Sequence, residues 1–387
     1  MRHQNTLLHD LMKPMPWGQF DRLVEKYAAD KGTRRLSTKS QLVALLHARL
    51  SGATSLREVV STVATHQTRL YHLGVEAPRR STLADANRDR PAGLFADLFA
   101  VLLQQAHAGL RRATRDAIRL IDATCVPLGR LSENWASYEA HAPGAKLHVV
   151  FDPEAATPVH FAVTARRIND IAAAKAMPIE AGATYVFDLG YYDFGWWARL
   201  AAQGCRFVTR LKKNTPTRLV AARAVPSAAA AKGVIADRIV RLPERLKGTR
   251  THPLPGDLRE VHVVIDGGRT LRIVSNDLEA DAETIADLYR RRWQIELFFR
   301  WVKQTLKMRK FLGTTENAVR IQLAVALIAY LLLRIAHAAQ RWIASPLELA
   351  RLVRVNLMHR RSVAEIACPR PPPPQSQPQQ LKLAFAR

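Results

Sequence analysis

The stretch Tyr289-Arg-Arg-Arg292-Trp-Gln-Ile-Glu296-Leu-Phe-Phe-Arg300-Trp-Val-Lys303 decides how the rest of the chain is read. Its pattern predicts one long helix that begins near Asp281. At about 100° per residue, Tyr289, Arg292, Glu296 and Lys303 fall within an arc of roughly 60°, and Arg300 and Lys307 extend the stripe. Leu288, Ile295, Leu297, Phe298, Phe299, Trp301 and Val302 cover the remaining circumference, so the helix is expected to pack on nearly all sides. A single acid then emerges among cations. Either Glu296 pairs with Arg292 and Arg300 at four-residue spacing, worth about 0.2–0.5 kcal/mol per pair on a surface helix, or it holds a divalent metal while the cations hold phosphates. The second reading requires further carboxylates from elsewhere.

Working back along the chain, two predicted strands run into an acid. Ala117-Ile-Arg-Leu-Ile121 leads to Asp122, and Thr184-Tyr-Val-Phe187 leads to Asp188. Between them, Lys146–Phe151 and Pro158–Val163 alternate as strands and Ile171–Ala181 is an alanine-rich helix. An aspartate at a strand end also starts turns, so each acid taken singly stays open. Asp193 reads as the N-cap of a helix from Phe194 and is left out of the site. Phe207–Lys213 is the next strand, running out through Arg210 into a basic turn. From 214 to 266 the helical signal fades. Ile235–Leu242 and Leu258–Ile265 read as strands of a small β insertion, with Ser227–Gly233 linker-like, and Thr270–Val274 returns to the main sheet.

The flanks are helical. Ser37 opens a helix over Gln41–Leu50, Ser55-Leu-Arg-Glu58 is a capping-box pattern, and a third helix starts at Ser81 with Arg and Asn expected on its exposed face. Three such helices suit either a helix-turn-helix DNA reader or an ordinary bundle. Leu323–Leu333 is too short to span a bilayer and reads as a buried helix, followed by Leu347–Met358. The ending Cys368–Gln380 is rich in proline and glutamine and is expected to be disordered.

The chain of 387 residues carries 58 Lys and Arg against 33 Asp and Glu, a net charge of +25 spread over its whole length. Such a field suits a polyanion, and double-stranded DNA is the expected partner, with no membrane. Cys125, Cys205 and Cys368 lack metal-type spacing, and no signal-peptide pattern precedes the first helix, so a reducing cytoplasm is expected.

Asp122, Asp188 and Glu296 in that order, with the Tyr-x2-Arg-x3-Glu-x6-Lys spacing of Tyr289, Arg292, Glu296 and Lys303, resemble the DDE transposases of bacterial insertion sequences. The likeness is to the group numbered four, which carries this Y-R-E-K signature. It extends to Leu50–Glu58, Ser81–Asn87 and Val186-Phe-Asp188-Leu-Gly-Tyr191. The resemblance implies an α/β fold: a ribonuclease-H-like mixed-sheet core interrupted by a β insertion, with a helical N-terminal DNA-binding domain and a helical C-terminal region. The expected boundaries are 1–112 for the DNA-binding helices, 113–213 and 267–312 for the two parts of the core, 214–266 for the insertion, 313–366 for the C-terminal helices and 367–387 for a disordered tail.

The resemblance further implies Asp122, Asp188 and Glu296 as ligands of Mg2+ or Mn2+, as a pair of ions, and Tyr289, Arg292 and Lys303 as contacts to transposon-end phosphates, with Arg210 a weaker contact. Where many relatives carry Arg after the second acid, this chain has Leu189. The implied activity is cleavage at inverted-repeat ends and strand transfer into target DNA, by a homodimer bridging two ends on the bacterial nucleoid. A ribonuclease-H-like nuclease without strand transfer and a non-catalytic inhibitor that occupies ends are the alternatives.

Overall fold

The computed structural model describes residues 5–110, 117–136, 143–244 and, except for 252, 255, 266 and 309, residues 251–368. The tail beyond Cys368, for which disorder is expected, lies outside the described residues.

The described residues include nine strands: β1 Ile118–Pro127, β2 Gly144–Asp152, β3 Thr157–Ala165, β4 Thr184–Val186, β5 Arg206–Arg210, β6 Arg218–Arg223, β7 Val234–Arg241, β8 Asp257–Ile265 and β9 Arg269–Ser275. They form a single sheet in the order β3-β2-β1-β4-β5-β9-β8-β7-β6. β1, β2 and β3 are antiparallel neighbours, whereas β4 and β5 run parallel to β1. The strands of the expected β insertion are continuous with the main sheet. β9 pairs with β5 along one edge and with β8 along the other, so β6–β8 extend the main sheet. β6 and a short helix, Ser227–Ala231, lie where the sequence suggests only fading signal and a linker. Every residue of β6 is exposed, so no burial alternates along it to mark a strand.

β1 also differs from expectation: it continues through Asp122 to Pro127. The reason is its antiparallel partner, since β2 pairs with β1 from Leu120 to Pro127 and places Val149 opposite Asp122. The parallel partner β4 stops earlier, pairing only Ile118–Leu120 with Thr184–Val186. The pairing with β4 thus ends just before Asp122, and the carboxyl ends of parallel strands are the usual place for a site in an α/β sheet.

Leu120, Val149 and Val186 face a core shared with the N-terminal and C-terminal helices, while Ile121, Phe187 and Phe207 face a second core with Trp196 and Trp197 of the helix Phe194–Ala202. The center of the first core is the helix Glu316–Ala338, which extends well beyond the apolar run seen in the sequence. By length and composition it is long enough to cross a membrane, but 83% of its apolar window is buried by the rest of the chain. Ser37 and Ser55 cap their helices as expected, accepting from Ser40 N at 3.1 Å and Glu58 N at 3.2 Å. Glu58 reaches back to Thr54 N at 2.8 Å, one residue before the cap.

The predicted long helix is two, Ala282–Arg291 and Trp293–Thr305, joined at Arg292. No proline or glycine breaks it. Tight i→i+3 bonds, Arg292 N to Tyr289 O and Ile295 N to Arg292 O, both 3.2 Å, mark a turn there instead. The first half packs over β5 and β7–β9 and the second over β1, so the turn lets one continuous segment cover both halves of the sheet. Ile295, Phe298, Phe299 and Val302 are buried, with Phe298 stacked 5.0 Å from Phe151 of β2. Trp293 and Leu297 remain 49% and 44% exposed, so the helix is not packed all round.

Candidate active site

Asp122 lies two residues beyond Leu120, the last residue of β1 paired by β4, and Asp188 lies two residues beyond Val186, the end of β4. Side chains alternate along strands, so Asp122 shares a face with Leu120 and Asp188 continues the face of Val186, both turned toward the helix Trp293–Thr305. That helix brings Glu296 over the same edge. Asp122 Oδ1 accepts from Ala123 N at 2.8 Å, and Asp188 Oδ1 accepts from Gly190 N at 2.8 Å, capping the turn Leu189–Tyr191. A Cβ at Gly190 would stand 3.0 Å from Asp188 Oδ1 and 3.3 Å from Asp170 Oδ2, so glycine permits two carboxylates to close on the backbone here.

Arg292, at the helix junction, connects the acids. Its Nη2 donates to Glu296 Oε1 at 2.6 Å, and its Nη1 lies 3.8 Å from Asp122 Oδ2. Glu296 thus pairs with Arg292, half of one of the two readings its spacing leaves open. Arg300 instead lies 5.9 Å from the center of the Trp293 ring. Burial pushes the Asp122 carboxyl up to about 7, with Asp188 and Glu296 adding to the rise and Ala123 N and Arg292 opposing it. Burial alone would lower Arg292, but Glu296, Tyr289 and Asp122 outweigh it and hold the guanidinium above its ordinary value. Tyr289 is raised by burial, against Arg210 and Arg292, and Asp188 adds to the rise. Thus Asp122, Asp188, Glu296, Tyr289, Arg292 and Arg210 belong to one electrostatic neighbourhood. Lys303 is in the last turn of the same helix, half-buried.

Among the described residues, no three His, Cys, Asp or Glu side chains converge closely enough to hold a metal ion. The guanidinium of Arg292 occupies the space between Glu296 and Asp122. The donors themselves suit a hard divalent ion, being carboxylates only, and the excess negative charge that raises Asp122 is what such an ion relieves. The residues fit an ion in kind without being gathered around one.

Three positioning residues were not legible in the sequence. Tyr191 is buried beside Asp122, Asp170 and Asp188 with its hydroxyl unpartnered. Arg49, wholly buried, donates to Leu306 O at 3.4 Å, Lys307 O at 3.1 Å and Lys310 O at 3.2 Å. Arg354 donates to Thr305 O at 2.5 Å. The two arginines cap the carbonyl end of the helix that carries Glu296, fixing it from the N-terminal and C-terminal helices at once. Nothing in Leu46-His-Ala-Arg49-Leu distinguishes Arg49 from a solvated helix residue.

The third N-terminal helix, which the sequence leaves open between a DNA reader and a bundle member, spans Arg80–Asp89, and its surface differs from the one expected. Asn87 is buried and accepts from Gln41 Nε2 at 2.8 Å, and Arg88 is matched by Asp85 and Asp89. The neighbouring groove of about 790 Å3 is lined by the buried Arg90 and by Lys31, Arg34 and Arg35, which lie exposed on the loop before the helix Thr38–Ser51.

Residues 113–332 match the family described as "Transposase DDE domain", and residues 3–76 match a domain of unknown function, DUF4372. The chain is 42% identical over 318 residues to a putative transposase, y4zB, of Sinorhizobium fredii (strain NBRC 101917 / NGR234), across 80% of this chain and 87% of the relative. It is 32% identical over 294 residues to a probable transposase for insertion sequence element IS5377 of Geobacillus stearothermophilus, across 72% and 76%. Among solved structures it is similar to the piggyBac transposase synaptic complex with hairpin DNA, at a TM-score of 0.49 and 11% identity over 92% of this chain and 80% of that one. The chain belongs to the DDE transposase family.

Proposed function

We propose that this chain mobilises an insertion sequence of the group with the Y-R-E-K signature, cutting its inverted-repeat ends and joining them to target DNA with Asp122, Asp188 and Glu296 as ligands of two Mg2+ or Mn2+ ions. The observation that carries the reading is the shared electrostatics of these three acids at one sheet edge, with Arg292 between them. The strand order β3-β2-β1-β4-β5, antiparallel and then parallel, supports a ribonuclease-H-like core.

Asp122, Asp188 and Glu296 would hold the ions, which when bound would supply activation of the attacking oxygen and stabilisation of the leaving one. The chain's own residues do the rest. For the acids to close, Arg292 leaves Glu296 and takes a DNA phosphate, to which a guanidinium binds bidentately. Tyr289 donates its hydroxyl to the same strand, and Lys303 and Arg210 add point charges on either side. Water opens the phosphodiester at the end to leave a 3′-hydroxyl, which then attacks a phosphodiester of the target, one bond forming as another breaks. The N-terminal helices hold end DNA through Lys31, Arg34 and Arg35, and two protomers bridge two ends in the bacterial cytoplasm.

The test is a Mg2+-dependent assay on duplexes carrying the element's own ends. Wild type is expected to cut and join them. Asp122→Asn is expected to bind ends at least as tightly, having lost a negative charge near phosphate, and to leave them intact. Normal cutting by Asp122→Asn overturns the assignment; cutting without joining indicates a nuclease, and binding without cutting by wild type indicates an inhibitor.

A further inference from the structure

A buried cation lies outside the proposed chemistry. Arg49, in the last turn of the helix Thr38–Ser51, is 3% exposed, and burial with no carboxylate to oppose it lowers its guanidinium to about 10. The acceptors it meets are neutral. Nη1 donates to the carbonyls of Leu306, Lys307 and Lys310, and Nη2 donates to Gln322 Oε1 at 3.0 Å. Gln322 Oε1 also accepts from Leu312 N at 2.7 Å, and its Nε2 donates to Ala318 O at 2.9 Å. Within the turn so held, Lys307 has a φ of 51°, a left-handed conformation that a residue with a side chain adopts at a cost. Stability alone would be better served by an apolar side chain than by a charge buried among neutral groups. What the charge does here is hold a strained turn directly after the helix that carries Glu296 and Lys303.

The helix Thr38–Ser51 is tied down at its other end as well. Asp30 Oδ1 accepts from Thr38 N and Thr38 Oγ1, both at 2.8 Å, and from Arg90 Nη2 at 3.1 Å. Arg90 donates further through Nε to Ala29 O at 3.2 Å, through Nη1 to Gln41 Oε1 at 3.1 Å, and through Nη2 to Leu36 O. The exposed loop of Lys31, Arg34 and Arg35 is thereby fixed to the start of the helix from both of its own ends. Between loop and turn, every residue of the helix except Lys39 and Ser51 is buried. A helix of 14 residues enclosed in this way is a stiff rod. At 1.5 Å per residue it reaches ~21 Å.

We infer that Arg49 is a positioning residue, through which the helix Thr38–Ser51 couples DNA held at Lys31, Arg34 and Arg35 to the placement of Glu296. The segment 3–76, which matches a domain of unknown function, then takes part in gathering the acids as well as in binding. The inference rests on the proposed transposase reading and goes beyond it, since ion uptake becomes dependent on which DNA is bound. Arg354, reaching Thr305 O from the helix Pro346–Asn356, holds the same helix end from a second side.

The experiment saturates full-length wild type, Arg49→Met, Arg49→Lys and Arg354→Met with a duplex carrying the element's end or with a random duplex. Mn2+ uptake is then followed by electron paramagnetic resonance. Wild type is expected to bind Mn2+ about tenfold more tightly on the end, within the ordinary range of coupling between sites. Arg49→Met is expected to keep its end affinity and to bind Mn2+ alike on both duplexes. Arg49→Lys, which keeps the charge without the fork of donors, should retain part of the preference. Should Arg49→Met fail to fold, Arg354→Met, at a half-buried position, carries the test and is expected to reduce the preference. A merely structural arginine would lower Mn2+ affinity equally on both duplexes or leave it unchanged. Either result, or a wild type that shows no preference, overturns the inference. Asp122→Asn and Glu296→Gln separate the two readings. If they abolish uptake while the arginine variants keep the preference, only the coupling fails; if they leave uptake unchanged, the proposed site fails and the coupling with it.

Discussion

Asp237 on β7 and Asp122 on β1 sit in the same sheet, each beside an arginine, and their surroundings differ in one respect. Asp237 is 2% exposed and receives both Nε and Nη2 of Arg259, the latter at 2.6 Å, with the arginine equally buried. Asp122 is 18% exposed, and its arginine stands 3.8 Å away, bonded to Glu296 instead. One acid is matched by a cation of its own; the other shares a cation with a second acid while a third stands near. A matched buried pair holds strands together. An unmatched cluster is a place where charge is wanted from outside.

The contrast is broken most forcefully by exchanging partners for neutral groups. Arg259→Ala leaves Asp237 buried without a counter-charge and is expected to destabilise the protein by about 3–5 kcal/mol, seen as a large fall in the chemical-denaturation midpoint. Asp122→Asn is expected to move the midpoint the other way, since it removes a charge the metal-free fold disfavours. Equal destabilisation by both variants would mean that Asp122 is an ordinary structural acid.

The same contrast has a pH signature. With an unfolded value of ~3.9 and a folded value of about 7, Asp122 binds its proton more tightly in the folded chain. Its contribution to stability is therefore fully present below pH ~4 and is lost as pH rises through about 7. The difference between wild type and Asp122→Asn should grow over this interval to an upper bound of about 4 kcal/mol, at ~1.4 kcal/mol per pKa unit. Thermal melts of metal-free protein at pH 5 and pH 8 measure it, and parallel shifts at both values count against the electrostatic strain.

The smallest expected effect concerns Lys303. It stands in the last turn of the helix Trp293–Thr305, and its proposed role is a phosphate contact rather than a metal ligand. Lys303→Ala should weaken end binding modestly and lower the salt slope by ~0.9, one counterion. A larger loss, or one confined to cleavage with binding intact, would place Lys303 inside the reacting site.

Much of the site was legible because its chemistry is written in local patterns. Asp122 and Asp188 follow apolar runs that make β1 and β4, and the four-residue spacing of Arg292 and Glu296 offers the ion pair between them as one of two readings. What was not legible depends on contacts distant in sequence. β1 runs past Asp122 because β2 keeps pairing after β4 has stopped, and no residue near 122 encodes where β4 ends. The helix bends at Arg292 to serve two parts of the sheet, although its sequence contains no helix breaker. Arg49 and Arg354 reach the end of that helix across 257 and 49 positions respectively. β6 went unseen because a fully exposed strand shows no hydrophobic alternation.

Binding of Mn2+ to the protein assembled on end DNA, followed by electron paramagnetic resonance, tests most directly whether the acids at 122, 188 and 296 act as one site. Wild type is expected to take up Mn2+ saturably, and Asp122→Asn, Asp188→Asn and Glu296→Gln each to weaken uptake at least tenfold. An isotherm left unchanged by any one of the three, in a variant that still binds the DNA, would contradict the account.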